Sequence, residues 1–341
     1  MNDQRSTPDL DPPRMRRSQG QIVVARALWY TKPDQAELRT ERLAPPAPGE
    51  ARVATEFSAI SRGTERLVAK GEVPQSEWSR MRAPLQAGSF SFPVKYGYSA
   101  AGIVTAGSDT MLGRRVFALH PHQDYFQAAE DNLVAIPDAI PSRRAVLAAN
   151  METALNAHWD AGTAPGDRIA VIGAGIVGLL VAYLARRIAG TNVTLVDIDP
   201  ARASYAKALG LAFVEPTNIP PDNRIVFHTS ATEAGLNAAI GACVFEGKVI
   251  EMSWYGTRPV TINLGAAFHS RRLRIISSQV GHVAPSHRGH IKHRDRLERA
   301  MALLDDPALD VLVADTVAFT ELPKSLSDIW SSTGLPPVIS Y

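Results

Sequence analysis

The sequence has little cysteine and almost no net charge. Cys243 is the single cysteine among 341 residues, which excludes an intrachain disulfide and a zinc site built from four thiolates. The 36 Lys and Arg residues nearly balance the 34 Asp and Glu residues, and the formal charge of +2 gives no general attraction to nucleic acid or anionic membranes. We therefore expect a small-molecule partner and a cytoplasmic location, where a lone thiol stays reduced.

Long apolar runs are also missing. The longest one, residues 169–185, is interrupted by glycines and is too short for a transmembrane helix. Residues 1–21 lack the apolar segment of a secretion signal, and their polar composition predicts a disordered leader. The hydrophobic content of 45% is ordinary for a globular protein, and the length of the chain favours two domains.

The character of the sequence changes along the chain. Residues 22–150 contain short β-type runs separated by proline and glycine, which is typical of an antiparallel β domain. Residues 151–285 alternate apolar strands with amphipathic helices, which predicts βαβ units around a mainly parallel sheet. Residues 286–341 add further helices and a closing strand. The predicted fold class is α/β, with a β-rich domain and a doubly wound parallel-sheet domain.

A glycine motif of the form GxGxxG joins a predicted strand directly to a predicted helix. Gly173 permits the tight turn, Gly175 lets the backbone approach a pyrophosphate, and Gly178 lets the helix pack closely on the strand. The helix start at Ile176 and Val177 offers free N–H groups and a partial positive charge to phosphates. The motif predicts dinucleotide binding; the alternative is a glycine-rich turn that binds nothing.

An acidic residue follows the second strand of this βαβ unit. Asp197 lies 24 positions after Gly173, close to the spacing expected for the acid that binds the adenosine ribose. Its carboxylate would accept hydrogen bonds from the 2′-hydroxyl of NAD and repel the 2′-phosphate of NADP, so we predict NAD as the cofactor. Arg202 leaves NADP open, unless it pairs with Asp197 or Asp199.

With these motifs, the sequence resembles the medium-chain dehydrogenase/reductase superfamily, which includes the alcohol dehydrogenases. The resemblance is carried by Gly63-Thr64-Glu65, by residues 97–104 and by the glycine motif with its acid. Segments 60–66 and 95–98 are most similar to bacteriochlorophyllide a dehydrogenase-like members of the superfamily.

The resemblance implies a domain organisation. Residues 22–150 and 286–341 would form a GroES-like, β-rich catalytic domain, because the chain of such proteins returns to its first domain. Residues 151–285 would form a Rossmann domain that binds NAD.

The same resemblance indicates a branch without zinc. Zinc-dependent members carry a cysteine where this sequence has Arg62 and a histidine where it has Tyr98, and their third ligand falls near Ala148 or Ala149. These replacements do not provide the Cys, His or carboxylate ligands that a tetrahedral zinc site requires. We therefore expect no bound metal, and the cysteine-rich lobe that binds structural zinc in many members is absent as well.

Without zinc, another group must stabilise the negative charge that hydride transfer builds on the substrate oxygen. The resemblance places Arg62, Thr64, Glu65 and Tyr98 in the former metal pocket. Our hypothesis is that Arg62 or Tyr98 polarises the substrate oxygen and that Thr64 relays its proton. The alternative is that Arg62 pairs with Glu65 and that Tyr98 only fills the vacated volume.

Further residues are candidates for the cofactor or substrate pocket. The resemblance brings Thr153 near the nicotinamide, while Ser253 and Ser278 follow parallel strands, at whose carboxyl ends ligands bind. Glu152 is a candidate acid or base, with the helix surface as the alternative. Aromatic and imidazole side chains complete the set: Trp254 and Tyr255 as substrate walls, and His120 and His122 as proton carriers, with a surface position as the alternative for both histidines.

Two segments of the sequence indicate what the protein could bind: a ligand in one case and a second copy of the chain in the other. His287, His290 and His293 recur at every third position in the basic segment 282–296. This segment can be read as a solvated surface, as a metal site or as an attraction for an anionic substrate. Residues 260–264 have a strand pattern, and the superfamily pairs edge strands of the cofactor domain, so the resemblance implies a homodimer.

The function predicted from the sequence is that of a zinc-independent, NAD-dependent oxidoreductase that interconverts a secondary alcohol and a ketone. A second hypothesis is the reduction of an activated carbon–carbon double bond, as in quinone oxidoreductase-like members, which commonly use NADPH. A third is a protein that binds NAD without turning it over. The expected substrate is a small molecule with aromatic or anionic character.

Overall fold

A computed structural model describes residues 20–341, so the predicted leader lies outside the described residues apart from positions 20 and 21. The first part of the chain forms short strands with one helix among them and a helical turn at its end. Its elements are β1 (Val23–Lys32), β2 (Gln35–Leu43), β3 (Glu50–Ala59), α1 (Arg62–Lys70), β4 (Ala87–Gly88), β5 (Val94–Lys95), β6 (Ala100–Ala106), β7 (Arg115–Ala118), β8 (Tyr125–Ala129), β9 (Val134–Ala135) and α2 (Ser142–Ala145).

The second part alternates helices and strands, and the chain ends with two short strands around a helix. Its elements are α3 (Ala148–Ala161), β10 (Arg168–Ile172), α4 (Ile176–Arg186), β11 (Asn192–Val196), α5 (Ala203–Ala208), β12 (Ala212–Val214), β13 (Asn223–His228), α6 (Glu233–Gly241), β14 (Cys243–Glu251), β15 (Arg274–Ser277), α7 (His293–Ala302), β16 (Thr316–Ala318), α8 (Leu322–Ser331) and β17 (Val338–Ser340).

The β-rich part contains two sheets. One has the strand order β16-β17-β3-β6-β7-β9, with β8 paired to β3, and the other has the order β2-β1-β5-β4. Most neighbours are antiparallel, including β17 against β3, where Ile339 faces Ser58. The end of the chain therefore returns to the sheet that its beginning built.

The other part of the fold is a six-stranded, wholly parallel sheet. Its order is β12-β11-β10-β13-β14-β15, so the chain starts at the centre and winds outwards in both directions. In β10, the residues from Ile169 to Ile172 are all buried, because helices cover both faces of the sheet. The predicted fold class, a β-rich domain joined to a doubly wound parallel-sheet domain, is confirmed.

Helix α3 connects the two parts and ends at a glycine. Gly162 adopts a left-handed conformation with φ of 62°, and its N–H donates to the carbonyl of His158. This arrangement satisfies a carbonyl that the last helical turn leaves without a partner.

Residues 260–264, the candidate edge strand of a dimer, do not form a strand within the described chain, and their pairing with a second copy stays a prediction. The N–H of Thr261 donates to Glu233 Oε2 at 3.0 Å, and the N–H of Asn263 donates to Asn237 Oδ1 at 2.9 Å. Two side chains of α6 thus hold alternate N–H groups of this segment. In the described part of the chain, β15 is the edge strand on this side of the parallel sheet.

Candidate functional site

A cleft of about 1380 Å³ runs between the β-rich part and the parallel sheet. It contains all the residues predicted for the former metal pocket and for cofactor binding except Glu65. These residues are Arg62, Thr64, Tyr98, Thr153, Gly173, Gly175, Ile176, Val177, Gly178, Asp197, Arg202, Ser253 and Ser278. Folding therefore brings together positions that lie up to about 200 residues apart in the sequence.

The glycine turn lies at the carboxyl end of β10, and each glycine meets a different constraint. Gly173 has φ of 109°, in the left-handed region that glycine favours. A Cβ at Gly178 would lie 1.8 Å from the carbonyl oxygen of Gly173, so helix and turn touch there. A Cβ at Gly175 would meet no protein atom within 4 Å, and its φ of −76° is open to any residue. The protein's own packing thus does not require glycine at Gly175.

Asp197 follows β11 and faces this turn. Its Oδ2 accepts a hydrogen bond from the N–H of Ala174 at 2.6 Å, and its Oδ1 accepts one from the N–H of Asp199 at 2.9 Å. The next residue, Ile198, lines the cleft with 82% of its surface exposed. Ile198 is not among the site residues predicted from the sequence, although an apolar residue after the ribose-binding acid is a local signal.

Arg202 is buried beside the same end of the cleft. Its Nε lies 3.5 Å from Asp199 Oδ2, which is one of the two partners predicted for it. Its Nη2 donates to the carbonyl oxygens of Thr333 and Gly334. Its Nη1 is buried and has no hydrogen-bond partner within residues 20–341.

Arg62 contacts the same C-terminal segment from the other side. Its Nη1 donates to the carbonyl oxygens of Ser332 and Gly334, both at 2.7 Å, and no ion pair with Glu65 forms among the described residues. Burial lowers the pKa of Arg62, and the positive charges of Arg202 and Arg66 lower it further. The first turn of α1 thus adds positive charge to the cleft.

Glu65 points into the core instead of the cleft. It is fully buried, with Oε1 accepting from the N–H of Ser61 at 2.7 Å and Oε2 bonded to His122 Nε2 at 2.9 Å. Tyr30 donates to the same Oε2 at 3.4 Å. On a helix, successive side chains point about 100° apart, so Thr64 can face the cleft while Glu65 does not.

Tyr98 is half-buried on the β-rich wall of the cleft, with the ring of Tyr96 packed edge-on at 6.0 Å. Burial raises the pKa of Tyr98 to about 12, and the negative charge of Glu65 acts in the same direction. Hydrogen bonding with the side chains of Ser61 and Thr64 opposes this rise. Tyr98 is therefore a protonated hydrogen-bond donor at neutral pH.

The predicted nicotinamide-side residues lie on three different elements. Thr153 donates to the carbonyl of Ala149 within α3, at 3.0 Å. The N–H of Ala231 donates to Ser253 Oγ at 3.1 Å, and Ser278 donates to Asp160 Oδ2 at 2.7 Å. All three predicted residues face the cleft, whereas Trp254, but not Tyr255, contributes to its wall.

The alternative prediction for Glu152, a position on the helix surface, is wrong. The residue is 4% exposed, and its Oε1 accepts from Arg296 Nε at 2.9 Å. Burial raises the pKa of Glu152 above its usual value, and the nearby charge of Arg296 offsets only part of this rise. Arg296 also lines the cleft and was missed, because 144 residues separate it from its partner. The one available signal was a polar stripe at Glu152, Asn156 and Asp160 on an alanine-rich helix.

The surface position suggested for His120 and His122 is wrong too. His120 stacks on Phe126 at 4.0 Å, and burial lowers the pKa of its imidazole to about 3. His122 is fully buried, with Nδ1 bonded to Ser58 Oγ at 2.8 Å. Neither histidine is part of the cleft wall.

The basic segment does not assemble a metal site. His287 stacks on Trp159 at 4.1 Å, while His293 lines the cleft and bonds to the carbonyl of Gly281 at 3.0 Å. Across the described chain, no group of three or more His, Cys, Asp or Glu side chains is placed to hold a metal ion. The positions that the resemblance assigns to zinc ligands hold Arg62, Tyr98 and either Ala148 or Ala149, and these side chains do not form a donor set that fits zinc.

The residues present do fit a dinucleotide. The open space at Gly175 lies at the amino end of α4, where unpaired N–H groups and the helix dipole favour phosphate. The acid at the end of β11 is placed for a ribose, and the cleft crosses the carboxyl ends of the parallel strands on both sides of β10.

Comparison with known proteins agrees with this geometry. A family model described as "Alanine dehydrogenase/PNT, C-terminal domain" matches residues 148–252. (R,R)-butanediol dehydrogenase of Bacillus subtilis is 23% identical over 269 residues, which cover 67% of this chain and 75% of that protein. 2-Desacetyl-2-hydroxyethyl bacteriochlorophyllide A dehydrogenase of Cereibacter sphaeroides is 28% identical over 273 residues, which cover 73% and 80%.

Solved structures share the whole architecture. A putative zinc-binding dehydrogenase from Sinorhizobium meliloti, bound to NADP, has a TM-score of 0.75 and 18% identity, covering 94% of this chain and 100% of its own. Acetophenone reductase from Geotrichum candidum, in complex with NAD, has a TM-score of 0.74 and 18% identity, covering 94% and 99%. Both structures hold a nicotinamide cofactor: NADP in the first and NAD in the second.

Within residues 20–341, none of the helices combines the length and apolar character needed to cross a bilayer.

Proposed function

Given that the chain is an oxidoreductase of the medium-chain dehydrogenase type, we propose that it interconverts a secondary alcohol and a ketone, using NAD and no catalytic zinc ion. The observation that carries this proposal is the shared cleft. The dinucleotide turn and Asp197 line the same cleft as Tyr98 and Thr64, which the resemblance places in the former metal pocket. When bound, the nicotinamide ring accepts or supplies the hydride.

In this proposal, the hydroxyl of Tyr98 donates a hydrogen bond to the substrate oxygen and stabilises the negative charge that develops there. Thr64 relays the proton of the alcohol, because its hydroxyl can accept one hydrogen bond and donate another. Arg62 contributes positive charge, but its donors to Ser332 and Gly334 mainly hold the C-terminal segment. Glu65 is left out of the reacting group because it is buried away from the cleft.

The choice of NAD rests on Asp197, whose carboxylate would bind the 2′-hydroxyl and repel a 2′-phosphate. One observation favours the second candidate, an NADPH-dependent double-bond reductase: the buried Nη1 of Arg202 has no partner among the described residues and would suit a phosphate. The third candidate, a non-catalytic NAD-binding protein, differs only in lacking turnover.

The substrate side of the cleft supports a ligand with an apolar or aromatic body and an anionic group. Tyr96, Trp254 and Trp330 contribute aromatic surface. Arg66 lines the same cleft without an ion pair among residues 20–341, and Arg82 donates only to the carbonyl oxygens of Gln86 and Gly88. We also propose a homodimer in a cytoplasmic setting, with β15 as the exposed edge of the parallel sheet.

The proposed function is tested by titrating chelator-treated protein with NADH and NADPH, weighing the complexes by native mass spectrometry, and screening ketones and secondary alcohols for turnover. We expect tighter binding of NADH, no retained metal and turnover of at least one ketone. Preference for NADPH would favour the double-bond reductase. Retained zinc would show that the ligand slots are misassigned, and tight NADH binding without turnover would favour the non-catalytic protein.

Replacing Asp197 by asparagine should change the cofactor preference. The amide keeps an oxygen for the N–H of Ala174 but removes the negative charge that opposes a 2′-phosphate. We expect the ratio of the NADPH and NADH dissociation constants to fall by at least about tenfold, which corresponds to ~1.4 kcal/mol. Fluorescence titration measures both constants, and the unfolding temperature serves as the control for the turn. An unchanged ratio would remove Asp197 from cofactor discrimination.

A further inference from the structure

One face of α3 anchors the segment that follows β15. Glu152, Asn156 and Asp160 are spaced four residues apart, so their side chains share one face of the helix. Asp160 accepts from the hydroxyl of Ser278 at 2.7 Å, and Asn156 Oδ1 accepts from the N–H of Ala284 at 3.1 Å. Both ends of the 278–284 segment are thus tied to α3.

Arg296 of α7 ties down the middle of the same segment. Its side chain donates to the carbonyl oxygens of Val280 and His282, the latter at 3.0 Å. The guanidinium is held in turn by Asn156 Oδ1 at 2.6 Å and by Glu152 Oε1 at 2.9 Å. Arg296 is 1% exposed, so these contacts replace the water that would otherwise solvate its charge.

Stability alone does not account for such a group. A buried ion pair typically gives little net stability compared with apolar side chains of the same volume. Arg296, however, directs two donors at one short stretch of backbone, and that stretch forms part of the cleft wall from Ser278 to His282. A neighbouring residue of α7 holds the same stretch of backbone, because His293 bonds to the carbonyl of Gly281 at 3.0 Å.

The sheet order shows which half of a dinucleotide this wall would meet. Asp197, the ribose acid, follows β11, on one side of the central strand β10. The 278–284 segment follows β15, at the opposite edge of the sheet. A dinucleotide lies across the carboxyl ends of such strands, with its adenosine half near β11. The nicotinamide half therefore lies toward β15 and the 278–284 segment.

We propose that Arg296 is a positioning residue: held by Glu152 and Asn156, it fixes the 278–284 segment as the wall against which the nicotinamide half of the cofactor binds. This inference rests on the proposed use of a nicotinamide cofactor. It assigns to Arg296 no contact with the cofactor and no part in proton transfer.

The test compares two ligands that share the adenosine half. NADH has the nicotinamide, whereas ADP-ribose lacks it. In Arg296→Met, the NADH dissociation constant should rise by about 10- to 100-fold, because charged hydrogen bonds that hold the segment are lost. The ADP-ribose constant should stay within about twofold. Hydrogen exchange should accelerate in the peptide that covers residues 278–284 and not in the glycine turn at Gly173–Gly178.

The matched control is Arg299→Met, an exposed arginine one turn later on α7, which should change neither constant. Should Arg296→Met fail to fold, the double variant Glu152→Leu with Arg296→Met leaves no unpaired buried charge and should give the same split between the two ligands. Equal weakening of NADH and ADP-ribose, or unchanged exchange in residues 278–284, would overturn the proposal. Wild-type protein that binds neither NADH nor NADPH would instead refute the proposed function, while the exchange measurement would still decide whether Arg296 holds the segment.

Discussion

Replacing Tyr98 by phenylalanine is expected to lower kcat for ketone reduction by about 10²- to 10³-fold, the cost typical of removing one donor from a developing oxyanion. Tyr98 lines the cleft and is the donor that the resemblance assigns to a zinc-ligand slot, and its neighbours Ser61 and Thr64 interact with its hydroxyl. The NADH dissociation constant should stay within about twofold, because the hydroxyl serves the substrate oxygen. Steady-state kinetics and fluorescence titration measure the two quantities.

Tyr30→Phe is the matched control for this prediction. Tyr30 donates to Glu65 within the same polar cluster but is buried outside the cleft, so its loss should leave kcat within about twofold. An equal loss in both variants would mean that the hydroxyls only support the fold. Full activity in both Tyr98→Phe and Arg62→Ala would refute the metal-free polarisation of the substrate oxygen.

The pH profile gives an independent readout of Tyr98. Because burial raises the pKa of its hydroxyl to about 12, the group keeps its proton throughout the neutral and mildly alkaline range. Its donor role is present below that pKa and is lost only as the pH approaches it. The rate of ketone reduction should therefore show no loss from this group below about pH 11.

Replacing Gly175 by valine is expected to raise the NADH dissociation constant by at least about 100-fold, or ~2.7 kcal/mol, without unfolding the protein. A side chain there meets no protein atom within 4 Å, and the backbone conformation suits any residue. It would, however, occupy the space at the helix terminus where the pyrophosphate would bind.

Gly241→Val is the control, since Gly241 has equally open surroundings but lies outside the cleft. It should leave NADH binding unchanged. Gly178→Ala provides a contrast, because its Cβ would collide with the carbonyl of Gly173 and destabilise the domain. Titration and thermal unfolding distinguish the two effects. Unaltered NADH affinity in Gly175→Val would mean that the turn does not receive the pyrophosphate.

Sequence motifs predicted the site best where the chemistry is local. The strand, the glycine turn and the helix start occupy neighbouring positions. The φ of 109° at Gly173 and the close approach of Gly178 to the carbonyl oxygen of Gly173 both act within the turn and its helix. The Gly-Thr-Glu motif was less informative for Glu65. It placed the segment at the predicted pocket but did not give the direction of each side chain, and a rotation of about 100° separates Thr64 in the cleft from Glu65 in the core.

The strand pattern at residues 260–264 shows a different limit. Alternating apolar residues favour a strand only if a partner strand is available for the backbone. Here the side chains of Glu233 and Asn237 accept those hydrogen bonds, so the segment stays outside the sheet. Which donor meets which acceptor depends on the docking of α6, which a local pattern does not contain.

The sequence by itself determined the α/β architecture and the dinucleotide turn, because these follow from periodicity and spacing. Tertiary structure decided the direction of Glu65, the partners of Arg62 and Arg202, and the network around Arg296. The contacts of Arg62 with Ser332, of Arg202 with Thr333 and of Arg296 with Glu152 each join segments more than 100 residues apart. Their geometry is set by the packing of whole elements, and burial then converts each distant pairing into a strong constraint, since a buried charge must find its partners within the protein.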